Sequence, residues 1–79
     1  MARIIDGNDK NLIGTKVKQL RLEKNWSQKK VSDQLEMLAI YICRGSISRI
    51  EDKTRTVTDI ELYGLSQVFG VPIQELFED

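Results

Sequence analysis

At 79 residues the chain has room for one small domain, whose single modest core buries only ~60% of the surface that its unfolded form exposes. Charged residues make up 30% and hydrophobic residues 41%, a globular mixture; with no histidine and one cysteine, Cys43, the chain excludes an internal Cys/His zinc site, a histidine-dependent triad and an internal disulfide. Twelve basic and twelve acidic side chains cancel overall. Locally they do not: ten basic residues face five acidic ones between Gly14 and Thr56, whereas Val57–Asp79 holds five acidic residues and no basic one. A molecule with one positive and one negative end can orient on a polyanion despite zero net charge.

Residues 1–11 carry turn chemistry at Asp6-Gly7-Asn8-Asp9 and no period, which predicts a mobile arm ahead of a domain spanning 12–79. Helical spacing starts at Leu12-Ile13 and runs through Val17 and Leu20. Asn25 is expected to stop this first helix, and Trp26 to turn inward. Ser27 suits the N-cap of a second helix that carries Val31, Leu35 and Leu38. The apolar stretch Met37–Cys43 could be read as a strand, but it continues the helical pattern without a pairing partner, so late helix plus turn is expected. A short third helix follows from about Arg44 to about Asp52. Thr58-Asp59-Ile60-Glu61 is a capping box that opens a fourth helix, expected to bury Ile60, Leu62, Leu65, Val68 and Phe69 and to end at Gly70. Pro72 suits the first position of a fifth helix with an Ile73, Leu76 and Phe77 stripe. Five short helices without a strand make an all-α domain.

The third helix has the most specific pattern. At 100° per residue, Arg44, Gly45, Ser48 and Arg49 share one face, with Ile47 and Ile50 opposite. Long bidentate donors beside residues without bulk are what a helix in a DNA major groove needs; a solvated amphipathic helix is the plainer alternative. No phosphate-binding glycine-lysine loop and no catalytic constellation is present, so neither cofactor nor enzyme activity is expected. No apolar run approaches ~18 residues, and the amino terminus lacks an export signature, so a cytosolic location away from membranes is expected.

Three stretches, Gly14–Arg21, Trp26–Ser32 and Gly45–Glu51, resemble the phage repressor/Cro-type helix-turn-helix domain, and Leu65–Phe77 is similar to the fourth and fifth helices of that lambda-repressor-like fold. The likeness covers roughly residues 12–77. It implies sequence-specific binding of double-stranded DNA by a homodimer, with Arg44, Gly45, Ser48 and Arg49 toward base edges. Phosphate contacts implied by position are Ser27, Gln28, Ser46, Lys53, Thr54, Arg55 and Thr56, with Gln28 also a candidate to brace an arginine of the third helix. Arg21 and Glu51 match positions that pair in the family. Val71, Pro72, Ile73, Leu76 and Phe77 become the candidate dimer surface, with closure of the monomer core by Leu76 and Phe77 as the alternative.

Two departures stand out. The span Leu35–Cys43 is longer than the usual three- or four-residue turn, so the second helix must lengthen or the loop must bulge. Leu38, Ile40, Tyr41 and Ile42 there are either extra core or a contact for a partner or the DNA backbone. Glu51-Asp52-Lys53 lacks the glycine that often follows the motif. Cys43 reads as a small filler near the cap of the third helix, or as an exposed redox thiol. The functional expectation is a transcriptional repressor, open to a protein antagonist; the alternatives are an antitoxin-type regulator that also binds a toxin, and a protein-interaction module that has kept the fold.

Overall fold

Asn11 fixes where the domain begins. Its side-chain oxygen accepts hydrogen bonds from the backbone N–H groups of Ile13 (3.1 Å) and Gly14 (2.8 Å), satisfying donors that a helix start leaves free. Its amide nitrogen donates to the carbonyls of Ile50 (3.1 Å) and Arg55 (2.8 Å). The computed structural model describes residues 8–77. Residues 1–7 of the expected arm lie outside the described ones, while Lys10 and Asn11 are tied down, Lys10 by a backbone bond to Lys53 (2.9 Å).

Four α-helices follow among the described residues: α1 (Gly14–Glu23), α2 (Gln28–Glu36), α3 (Arg44–Glu51) and α4 (Asp59–Phe69). The last element, Ile73–Phe77, is a 3-10 helix rather than a fifth α-helix. The segment is only one turn and a half long, and the tighter i→i+3 winding is common in such short pieces. No strand occurs among the described residues, and no described helix is long and apolar enough to cross a membrane.

The N-caps follow the local sequence. Ser27 Oγ accepts from the Lys30 N–H at 3.0 Å, and both halves of the Thr58–Glu61 capping box are formed. The C-terminal ends share one device. Each chain turns back through a residue with positive φ, Asn25 (58°), Ala39 (61°), Lys53 (63°) and Gly70 (68°). The next N–H then bonds to a carbonyl five residues earlier: Trp26 to Arg21, Ile40 to Leu35, Thr54 to Arg49 and Val71 to Ser66. This closure usually takes glycine. Three of the four positions here do not, and each carries the steric cost of a Cβ in the left-handed region.

The long span between α2 and α3 is thereby resolved. The second helix stops at Glu36, and Met37–Cys43 is a turn followed by extended chain rather than late helix. Ala39 makes the reversal, and Ile40 then packs over Gly64 of α4, where an added Cβ would collide with it. Ile42 is buried at 3% exposure, whereas Met37 and Tyr41 are both 78% exposed. The stretch is therefore partly core and partly surface.

Val17, Val31, Leu35, Ile47, Ile50, Leu65 and Leu76 form a fully buried centre. Ile60, expected inside, is 64% exposed: it sits 180° around α4 from the buried Phe69. Gly14 is packed so closely beneath the end of α3 that a Cβ would collide with the Ile50 carbonyl, which lets α1 support α3 from below.

Candidate nucleic-acid interface

The two isoleucines of α3 position everything on its outer face. Ile47 and Ile50 are completely buried, while Arg44, Gly45 and Arg49 are exposed and Ser48 is half-buried. The Arg49 guanidinium leans back toward the helix start, as helical side chains do, and donates to Ser46 Oγ at 3.1 Å. Its Nη1 lies 3.7 Å from where a Gly45 Cβ would stand, an ordinary contact distance. The Cys43 thiol is exposed, with its sulfur 3.4 Å from the same Ser46 hydroxyl; hydrogen bonds to the thiolate from that hydroxyl and from the Ser46 and Gly45 backbone, with the nearby charge of Arg49, hold its pKa below the ordinary thiol value. Cys43 is thus not a buried filler.

The far end of α3 is clamped by charge. Glu51 accepts Arg21 Nε (2.7 Å) and Nη2 (3.0 Å) in a bidentate pair, and Arg21 Nη1 also donates to the Trp26 carbonyl (2.9 Å). The carboxylate raises the Arg21 pKa by bonding its charged form. Gln28 donates to Glu51 Oε1 at 3.1 Å. Gln28 therefore braces a carboxylate, not an arginine of α3, and Glu51 joins α1, α2 and α3 at one point.

Beside it, the start of α2 presents exposed Ser27. Lys24 and Lys30 hold their ammonium groups 5.2 Å and 5.9 Å from the centre of the Trp26 ring, and Trp26 stacks on Phe69 at 6.1 Å. These two lysines were missed by the sequence reasoning, although the run Lys24–Lys30 already clusters basic residues around an aromatic one.

After α3 the chain runs Lys53-Thr54-Arg55-Thr56. Thr54 Oγ1 donates to the Arg49 carbonyl at 3.3 Å, and Lys53 Nζ lies 3.9 Å from Asp9. Arg55 departs from expectation: both its terminal nitrogens donate to Glu61 at 2.9 Å, and Nη1 also reaches the Thr56 carbonyl. The Nη1/Nη2 edge of its guanidinium is thus taken by the protein's own acceptors. Arg55 keeps the Glu61 carboxyl below its usual value.

At the opposite end, Pro72, Ile73 and Phe77 are exposed and Val71 is half-buried, but Leu76 is completely buried. Leu76 belongs to the monomer core and drops out of the candidate dimer surface. Among the described residues no cluster of three or more His, Cys, Asp or Glu could hold a metal ion. The apolar cleft of about 400 Å³ between residues 10–13, 56–59, Leu62 and Phe77 contains no such cluster.

Compared with known families, residues 17–76 match the model of a helix-turn-helix family. No curated protein matches the chain.

Proposed function

The chain belongs to the Cro/repressor-type helix-turn-helix family of DNA-binding transcription regulators, and from that premise we propose that it is a repressor that binds operator half-sites as a dimer, with α3 in the major groove. The observation that carries this reading is the outer face of α3, with Arg44, Gly45 and Arg49 exposed over a floor of fully buried Ile47 and Ile50. Two bidentate donors on a rigid rod suit guanine O6/N7, and Gly45 permits close approach. Ser48 sits on the same face, half-covered. Ser27, Gln28 and Ser46, together with Lys53, Thr54 and Thr56, flank that face with hydroxyls, an amide and an ammonium suited to phosphate oxygens, and set the register on the duplex.

One such module offers few contacts, so two copies would engage half-sites ~34 Å apart. Val71, Pro72, Ile73 and Phe77 supply the proposed self-association surface, at the acidic end of the chain and so away from phosphate. Repression then follows from occupancy, with relief by a protein antagonist. An antitoxin-type role is the second reading, favoured by the exposure of Met37 and Tyr41; the presence of a small toxin gene beside this one would support it.

The test is selection of bound sites from random duplexes, followed by titration across salt. With about six phosphates engaged, log K falls against log salt with a slope near −5. Arg49→Ala or Arg44→Ala costs ~1–3 kcal/mol on the selected site and blurs preference at one base pair. Parental affinity in both variants would end the assignment of α3.

A further inference from the structure

The proposed DNA-facing loop holds two cations, Lys53 and Arg55. Lys53 is weakly paired, 3.9 Å from Asp9, whereas Arg55 is tightly paired. Its two terminal nitrogens meet the two oxygens of Glu61 at 2.9 Å each, and Nη1 adds the Thr56 carbonyl at 2.9 Å. Glu61 has further bonds of its own. Its Oε1 accepts the Thr58 N–H at 3.0 Å while its own N–H bonds Thr58 Oγ1 at 3.2 Å, so the carboxylate is anchored at the first turn of α4. Both members of the pair are largely covered, with 28% and 13% of their side chains accessible.

A phosphate that approached this loop would find the Nη1/Nη2 edge of the guanidinium already filled by a carboxylate of the same charge as the phosphate. To take that edge it would have to break two hydrogen bonds to Glu61, and on the Nε side it would meet a cation whose charge the carboxylate already offsets. Like charges juxtaposed across an interface are a means of rejecting partners. A capping box alone does not require this arrangement, because glutamine also serves at the third helical position.

Resting on the DNA-binding reading above, we propose that Glu61 is a specificity-setting residue: it withholds Arg55 from the phosphate backbone, lowers affinity for duplex of any sequence, and leaves discrimination to the α3 arginines. Generic phosphate contacts strengthen right and wrong sites alike, and competing sites in a genome are far more numerous than operators. A withheld cation therefore sharpens the choice.

The experiment compares the parent chain with Glu61→Gln, Arg55→Gln, the double variant and Glu75→Gln, using a labelled random-sequence duplex titrated from about 50 to about 200 mM salt. Glu61→Gln keeps the capping box, and a cooperative melt verifies folding. The expected result is a gain of about threefold or more at low salt in Glu61→Gln, with the salt slope steeper by about 0.9, one added phosphate contact. Arg55→Gln alone leaves the slope unchanged, the double variant loses the gain, and Glu75→Gln, with the same charge change elsewhere, leaves the slope unchanged. Binding by the parent without a gain in Glu61→Gln overturns this proposal alone, as does a gain that survives in the double variant or a lost unit of slope in Arg55→Gln alone. Binding by none of the five proteins overturns the DNA-binding reading and this proposal with it.

Discussion

Arg21–Glu51 and Arg55–Glu61 are both bidentate arginine–glutamate pairs, the first side-on through Nε and Nη2 and the second end-on through Nη1 and Nη2, set in two different surroundings. The first lies in the seam between α1 and α3, with 11% and 2% of its side chains accessible, and its carboxylate also takes Gln28. The second lies at the edge of the loop that follows α3, with 28% and 13% accessible. The inner pair is largely shut off from solvent and ties three helices together. The outer one sits where a competing anion can arrive, so its geometry bears on binding. Location, not chemistry, separates a structural pair from one that can bear on function.

The contrast can be broken first at the inner pair. Arg21→Met leaves the Glu51 carboxylate buried without its main partner and is expected to cost about 3–5 kcal/mol in chemical denaturation. Replacing both members, Arg21→Met with Glu51→Leu, is expected to recover most of that loss, because no buried charge remains unpaired. Next comes Lys53, which lies between the two pairs in sequence and holds φ at 63°. Lys53→Gly relieves a left-handed Cβ and is expected to stabilise the fold by up to about 1 kcal/mol, while DNA affinity falls alike on all sequences. Arg55→Gln, at the partly exposed pair, is expected to cost only about 0.5–1 kcal/mol of stability; a loss as large as that of Arg21→Met would erase the distinction drawn here.

The smallest effect is in pH. Glu61 has a folded pKa below its ordinary value of 4.5, chiefly through its bonds with Arg55. Its contribution is therefore complete above the ordinary value and is lost as acid takes the pH down through the lowered folded one. Thermal melts from pH 6 downward should show a shallower decline for Glu61→Gln than for the parent, and identical slopes would refute the linkage.

Features set by a few adjacent residues were readable from the chain. Ser27 and Thr58 cap because their hydroxyls reach N–H groups three residues on, and the alternation of Arg44, Gly45 and Arg49 with Ile47 and Ile50 follows from helix pitch alone. The bounds of α3 were legible to within a residue for the same reason. Gln28 was assigned to the right neighbourhood but the wrong partner, since Glu51 lies a turn, a loop and a helix away. Asn11 gave no local sign of bonding Ile50 and Arg55 across the molecule. Ile60 shows a different failure: being apolar, it was counted inward against its own position on the helical wheel.

Local order and amphipathic faces, then, were written in the amino-acid sequence, because capping bonds and helical periodicity involve neighbours only a few positions apart. Tertiary structure decided the rest. Chain reversal at Ala39 and Lys53, the withdrawal of Leu76 from the surface and the capture of Arg55 by Glu61 of the next helix each depend on which group outside the same helix fills the adjoining space. That competition is settled only once the helices have packed.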